Sequence, residues 1–106
     1  MKIELSPVRR DDRYTLAVTG DVLIINGEAF DFTALPEGAS LPREAVACDW
    51  LISDVERQGG DLRLTLRLPH GAGAPDETRF PHPLTITTDG PVALPPFGPL
   101  PEESTP

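Results

Sequence analysis

The sequence is poor in the residues that usually carry chemistry. Its 106 residues include one cysteine, one tryptophan, one tyrosine and two histidines. A lone cysteine, Cys48, has no partner for an intrachain disulfide, which fits a reducing compartment. No apolar run is long enough to span a bilayer. Residues 1–7 lack the apolar region of a signal peptide, so we expect no secretion.

Positive charge is also scarce. Nine basic residues oppose seventeen acidic ones, which gives a net charge of −8. An acidic surface repels phosphate backbones and anionic lipids. We therefore expect neither nucleic acid nor a membrane as a partner, and the chain length indicates a single domain.

Proline is abundant, with thirteen residues, and ten of them lie from Pro69 onward. Prolines prevent a helix and remove donors from any central strand. We therefore expect residues 1–89 to form the folded domain and residues 90–106 to be an acidic, extended, proline-rich extension with a flexible end. Its apolar side chains are candidate contacts with the body of the chain or with a protein partner: Val92, Leu94, Phe97 and Leu100.

The strongest local signal is a hairpin around Asn26-Gly27. Asn-Gly between two apolar runs favours a two-residue type I′ turn, because both residues tolerate positive φ. This register pairs Ile25 with Glu28 and Leu23 with Phe30. Leu23, Ile25, Phe30 and Phe32 then share one face, and the other face is also largely apolar: Val22, Ile24 and Ala29. A hairpin that is apolar on both sides is typical of a position between two layers, or between the body and a partner.

A second hairpin is predicted around Gly59-Gly60. A two-residue loop there pairs Arg57 with Leu62 and Glu56 with Arg63, a favourable cross-strand charge pair. The same register continues through three further pairs: Val55 with Leu64, Ser53 with Leu66, and Leu51 with Leu68. It places the leucines on one face, whereas a slip by one residue would mix the two faces.

The remaining pattern is also β. Apolar residues alternate at Ile3/Leu5, at Tyr14/Leu16/Val18 and in a last strand over residues 84–88. Residues 33–48 and 70–82 are predicted loops, the first with a short helical turn over residues 42–46. We expect an all-β domain of six or seven strands, built from antiparallel hairpins as a small sandwich or open barrel.

The polar residues do not form a recognisable catalytic or metal-binding pattern. His70 and His82 are predicted to be solvated loop residues, because their spacing to Cys48 and to the carboxylates matches no zinc pattern. The acidic flank of Cys48 favours a half-buried structural thiol over a nucleophile.

Two charged clusters also have a structural interpretation. Cross-strand charge pairing explains Asp54 and Glu56 without catalysis. Asp11 and Asp12 nearly neutralise the only basic cluster, Arg9, Arg10 and Arg13, which favours a solvated turn. We expect no enzyme, no cofactor and no metal, with an Asp/His hydrolase as the least favoured hypothesis.

The aromatic residues leave two hypotheses open. Trp50 and Phe97 are predicted core residues by default, although an aromatic in a proline-rich segment can also anchor a partner. Trp50 and Tyr14 on a β scaffold would suit a small-ligand or glycan-binding module. That hypothesis has few aromatics to draw on, because the chain has only six.

Three segments carry a resemblance to a known group. They are the opening Met-Lys-Ile-x-Leu-Ser-Pro-Val-Arg, the segment from Gly20-Asp21 through Asn26-Gly27 to Phe30-Asp31-Phe32, and the exit Asp89-Gly90-Pro91-Val92-x-Leu94-Pro95. Together they resemble small proteins encoded in bacterial prophage tail regions. The resemblance itself carries no stated function and transfers no catalytic or binding residues. The hairpin that is apolar on both sides, the apolar extension and the lack of a recognisable site instead predict a non-catalytic structural or assembly-accessory protein of phage or prophage origin. We expect it to contact a phage tail component or copies of itself, in the bacterial cytoplasm or on the virion.

Overall fold

The computed structural model describes residues 1–98, and β-strands are its main regular structure. The elements follow in chain order: β1 (Lys2–Arg9), β2 (Leu16–Thr19), β3 (Val22–Ile25), β4 (Glu28–Asp31), β5 (Ser40–Leu41), a 3₁₀ turn (Arg43–Ala45), β6 (Val55–Gln58), β7 (Asp61–His70), α1 (Asp76–Arg79), β8 (Leu84–Thr85) and β9 (Gly90–Val92). No helix in the described part of the chain is long and apolar enough to cross a membrane.

The strands form two sheets. The large sheet has five strands in the order β5-β6-β7-β1-β8, and the small sheet has four in the order β4-β3-β2-β9. Inward-facing residues of both sheets belong to one hydrophobic cluster, in which Ile3, Leu23 and Leu66 are almost completely buried. The predicted β fold class is confirmed, because the regular structure is mainly strands arranged in two sheets. All but one of the strand pairings are antiparallel.

The first predicted hairpin is confirmed. β3 pairs with β4 through Leu23–Phe30 and Ile25–Glu28. Asn26 and Gly27 have φ values of 53° and 80°, as a type I′ turn requires. Asn26 also accepts a hydrogen bond through its side-chain oxygen from Thr15 N at 3.0 Å, which ties the turn to the residue before β2.

The second predicted hairpin is correct near its turn and wrong farther away. β6 and β7 pair Glu56 with Arg63 and Arg57 with Leu62 as predicted. Leu51, however, lies opposite Leu66 and not opposite Leu68. At the offset the Ser53 hydroxyl oxygen accepts from Thr65 N at 2.8 Å, in the place of a backbone partner. Because the offset is two residues, Leu51 still faces the core.

The expectation of purely antiparallel hairpins is wrong at the centre of the large sheet. β1 and β7 are parallel over eight residue pairs, from Lys2–Arg63 to Arg9–His70. Parallel neighbours need a long crossover, and here the whole small sheet except β9 lies in the chain between them. The periodicity of apolar residues identifies strands but does not give the direction of their pairing.

The C-terminal part of the described chain also differs from the prediction. The last predicted strand shortens to Leu84–Thr85. A helical turn, Asp76–Arg79, interrupts the predicted 70–82 loop, and His70 is the final residue of β7. Gly90–Val92 is not an isolated extension, because it pairs with β2 at the edge of the small sheet. Pro91 is tolerated there, since an edge strand leaves one side without partners.

Candidate interaction surface

The outward side of the small sheet carries a row of apolar residues that crosses all four strands. The strand register aligns Pro91 with Ala17, Ala17 with Ile24, and Ile24 with Ala29. Three strand spacings make this row roughly 14 Å wide. Val22 lies on the same side, between Thr19 and Asp31. We call Ala17, Val22, Ile24, Ala29 and Pro91 the outer apolar face.

The outer apolar face is separate from the core. None of its residues belongs to the hydrophobic cluster or packs against it within residues 1–98. Ala29 and Pro91 are exposed, and Ala17, Val22 and Ile24 are half-buried. This is the second apolar side of the predicted hairpin of β3 and β4, and β2 and β9 extend it from two strands to four. A contiguous apolar surface of this kind is typical of a protein contact site.

The charge around this face is negative. The four strands of the small sheet contain no lysine or arginine, and residues 14–42 contain four acidic residues and no basic one: Asp21, Glu28, Asp31 and Glu37. Arg57 of β6 pairs with Asp21 at 3.0 Å and offsets that one charge. Asp31 is closest to the apolar row, opposite Val22. The Thr33 hydroxyl and backbone N–H both donate to Asp31 Oδ1 and lower the pKa of that carboxyl, which keeps it ionised near neutral pH.

The predicted polar site residues lie apart. No group of three His, Cys, Asp or Glu side chains within residues 1–98 is placed to hold a metal ion. His70 is half-buried at the end of β7, with its Nδ1 at 3.0 Å from Gly71 O, while His82 is exposed. Asp54 Oδ1 accepts from Arg43 N at 3.0 Å, which fixes the loop before β6.

Two arginines of the basic cluster, Arg10 and Arg13, contact a carboxylate and aromatic rings of their own chain. Arg10 forms a two-pronged ion pair with Asp12, which lowers the pKa of that carboxyl, and its guanidinium lies 4.5 Å from the centre of the Trp50 ring. Arg13 lies 4.2 Å from the centre of the Phe97 ring.

Arg10 also lines a cleft of about 670 Å³ with Arg43, Arg67 and the half-buried Cys48. Glu44 and Asp49 line the same cleft and offset much of its positive charge.

Trp50 and Tyr14 are core residues. Trp50 is 9% exposed and Tyr14 is 6% exposed, and their ring centres lie 4.6 Å apart. The Tyr14 hydroxyl donates to Arg67 O at 2.8 Å. Burial, with a smaller contribution from nearby Cys48, raises the pKa of the Tyr14 phenol well above its usual value. The two rings that motivated a glycan-binding hypothesis are thus packed inside and do not present an open stacking surface.

The candidate contacts in the extension pack on their own chain where the structure describes them. Val92 and Leu94 are half-buried against the core. Phe97 is half-buried and accepts through its backbone oxygen from Gly71 N at 2.8 Å. A Cβ on Gly71 would lie 3.0 Å from the Phe97 ring, so glycine allows the ring to approach. Leu100 lies outside the described residues.

An exposed aromatic that the sequence analysis did not single out is Phe80. It is 72% exposed and directly follows the helical turn α1. The only sequence signal for it is its setting, Arg-Phe-Pro-His-Pro, where flanking prolines prevent burial in a regular strand.

Comparison with known proteins gives no relative. No protein-family model, no curated protein and no solved structure matches the chain.

Proposed function

We propose that this chain is a non-catalytic structural or assembly-accessory protein of phage or prophage origin, which acts by binding another protein through the outer apolar face. The observation that carries the proposal is the row Pro91–Ala17–Ile24–Ala29, which crosses the small sheet outside the core. Full burial of an aliphatic side chain stabilises a complex by about 1.5–3 kcal/mol. Ile24 and Val22 are each only partly exposed and so retain a minor part of that free energy for binding.

The shape of the face favours a flat partner. Alanine and proline side chains are short, so only Ile24 and Val22 project from the sheet. A second sheet or an amphipathic helix can approach such a surface closely. Both sheets contribute to one core, and on this basis we favour a sandwich over an open barrel, with the partner adding a further layer on the small sheet.

The charge around the face defines the partner further. With Asp31 ionised beside Val22 and no basic side chain in residues 14–42, an acidic partner would be repelled. We therefore expect a partner whose apolar strip is flanked by lysine or arginine. The resemblance to prophage tail-region proteins suggests that this partner is a tail component.

The test uses purified products of the genes next to the one that encodes this chain. Each is titrated against three full-length variants: wild type, Ile24→Lys and Val8→Lys. Val8 is a matched control, because it is also aliphatic, half-buried and outward-facing, but lies on β1 in the large sheet. We expect one gene product to bind wild type and Val8→Lys equally, and Ile24→Lys at least about tenfold more weakly, which corresponds to about 1.4 kcal/mol.

Salt titration supplies a second readout. Binding to a basic partner should weaken as ionic strength rises, because the surface charges are screened. The proposal fails if no neighbouring gene product binds, or if Ile24→Lys binds as tightly as Val8→Lys.

A further inference from the structure

Phe80 is a largely exposed apolar side chain, with the Arg79 guanidinium over its ring, at 5.8 Å from the ring centre. It is 72% exposed, and no other large apolar side chain within residues 1–98 is comparably exposed. The turn that presents it is anchored by Thr78, which is 0% exposed and donates through Oγ1 to Pro96 O at 2.6 Å. Pro75 before the turn and Pro81 after it restrict the backbone further. A backbone turn already held in this way loses little conformational entropy on binding.

A cleft of suitable size lies next to this turn. It has a volume of about 290 Å³ and is lined mainly by Leu68, Leu94, Pro96 and Phe97, with Arg13 at its side. A cavity of roughly 150 Å³ already holds a benzene ring. Pro96 belongs to the wall of the cleft and also accepts the hydrogen bond from Thr78, so the cleft and the Phe80 turn are neighbours on the molecule.

The charges of the two features are complementary. The turn that carries Phe80 is acidic on its exposed side, with Asp76 and Glu77 in its first turn. Asp76 pairs with Arg79 of the same turn, whereas Glu77 takes part in no ion pair within residues 1–98. Arg13 is exposed beside the cleft, where its guanidinium lies over the Phe97 ring.

We infer that two copies of this chain associate about a twofold axis, with Phe80 of each copy inserted into the cleft between Leu68, Leu94 and Phe97 of the other and Glu77 of each facing Arg13 of the other. A projecting side chain beside a matching cleft is self-complementary, and a twofold axis closes the assembly at two copies. The contact is separate from the outer apolar face and does not depend on the function proposed for that face.

The association is weak and reversible. A contact made by one aromatic side chain from each copy belongs to the small class of interfaces, and the net charge of −8 on each copy opposes approach. We expect a dissociation constant in the micromolar range for the full-length protein, with the dimer favoured at moderate salt.

Sedimentation equilibrium of the full-length chain, from about 1 µM to about 500 µM, measures this constant. We expect Phe80→Ala to weaken the dimer by at least about thirtyfold, because each dimer loses two aromatic anchors, and Phe80→Leu to weaken it much less. Ile24→Lys and Leu100→Asp should leave it unchanged. Circular dichroism and thermal melting of each variant check that the fold is retained.

Charge reversal tests the pairing between copies. Glu77→Arg and Arg13→Glu should each weaken the homodimer, because like charges then face each other at both ends. An equimolar mixture of these two variants should associate as tightly as wild type, since every cross-copy pair is again opposite in sign. A charge effect within one copy cannot produce this recovery.

Four results would overturn the inference: a monomer at every concentration, a dimer unaffected by Phe80→Ala, no recovery in the mixture, or loss of the dimer in Ile24→Lys or Leu100→Asp. Loss with Ile24→Lys alone would assign the dimer to the outer apolar face. Loss with Leu100→Asp alone would show that the C-terminal segment occupies the cleft.

Discussion

The two sheets share one core but differ on their outer sides. Along β1 and β7 of the large sheet, buried aliphatic residues alternate with lysine, glutamate, threonine and arginine. Along β2 and β3 of the small sheet, the outward positions are alanine, threonine, valine and isoleucine. The large sheet follows the usual pattern for a sheet with one solvated side. The small sheet departs from this pattern, and such a departure is expected where a surface serves a purpose other than folding.

The positive charge is distributed in the same unequal way. β1, β6 and β7 together contain Lys2, Arg9, Arg57, Arg63 and Arg67, while the strands of the small sheet contain no basic residue. A sheet with charges of both signs is soluble by itself and resists non-specific contacts. A sheet with an apolar row and only acidic charge favours one class of partner and rejects another.

We expect the inner sides of the two sheets to contribute equally to the free energy of unfolding. Truncation of one buried leucine in each sheet tests this. Leu66 in the large sheet is 0% exposed and Leu23 in the small sheet is 2% exposed. We expect Leu66→Ala and Leu23→Ala each to lower the free energy of unfolding by about 3 kcal/mol, because both leave a cavity in one core. Urea denaturation measures this, with an unchanged m-value as evidence of a common unfolding transition. A cost below about 1 kcal/mol for Leu23→Ala alone would mean that the small sheet is only loosely attached.

Arg57 links the two sheets, and its removal should have the next largest effect. Its guanidinium donates to Leu35 O at 2.6 Å, to Phe32 O at 3.1 Å and to Asp21 Oδ2 at 3.0 Å. We expect Arg57→Ala to lower the free energy of unfolding by about 2 kcal/mol, since two carbonyl groups and a carboxylate lose a charged donor.

Two further variants separate the contributions at this link. Arg57→Lys should recover little, because an ammonium group cannot reach the three acceptors in the planar arrangement of a guanidinium. Arg63→Ala, an exposed arginine of β7, serves as a control and should cost less than about 0.5 kcal/mol. If Arg57→Ala is as mild as the control, the link between the sheets is not energetically important.

The sequence predicted the small sheet better than the large one, and the reason is local. Asn26-Gly27 determines both the turn type and the register of β3 and β4, so every pair in that hairpin follows from adjacent residues. The outer apolar face was also foreseen in part, at Val22, Ile24 and Ala29. Its extension to Ala17 and Pro91 depends on the pairing of β9 with β2, which joins residues far apart in the chain.

The large sheet depends on information that periodicity does not contain. Nothing in the alternation at Ile3/Leu5 or in the leucines of β7 specifies a parallel pairing. At the Leu51 offset, the Ser53 hydroxyl accepts from Thr65 N in the place of a backbone acceptor. Next to Phe80, Thr78 donates to Pro96 O and holds the turn on the body of the protein. Each of these is a long-range contact, which becomes predictable only when the topology is known.

Tyr14 forms a second link between the sheets. Its phenol makes the free energy of unfolding depend on pH in the alkaline range. It precedes β2, and its hydroxyl donates to Arg67 O in β7. Burial raises the pKa of this phenol in the folded state. Above about pH 10 the unfolded chain loses the phenol proton while the folded chain keeps it. The unfolded state then binds fewer protons, so the free energy of unfolding falls as pH rises, by up to about 1.4 kcal/mol per unit.

Tyr14→Phe tests this dependence directly, because the chain has no other tyrosine. At neutral pH the substitution should cost about 1 kcal/mol, the worth of one hydrogen bond. Above about pH 10 the variant should lose less stability than wild type. Urea denaturation of both proteins between about pH 7 and about pH 11 measures the difference. Equal pH slopes for the two proteins would show that the phenol ionises in the folded state as it does in the unfolded state.

The smallest expected change in the free energy of unfolding comes from a comparison of two neighbouring residues of β3. Leu23 faces the core and Ile24 faces outward, so a substitution by threonine should separate the two sides of the small sheet. Ile24→Thr keeps a β-branched side chain and should change the free energy of unfolding by less than about 1 kcal/mol. Leu23→Thr buries a hydroxyl and leaves a cavity, so it should cost several times more. If Ile24→Thr is as costly as Leu23→Thr in urea denaturation, Ile24 is a packing residue and the outer apolar face serves folding. If it is nearly neutral, isoleucine at that position is not required for stability, as expected for a residue of a contact surface.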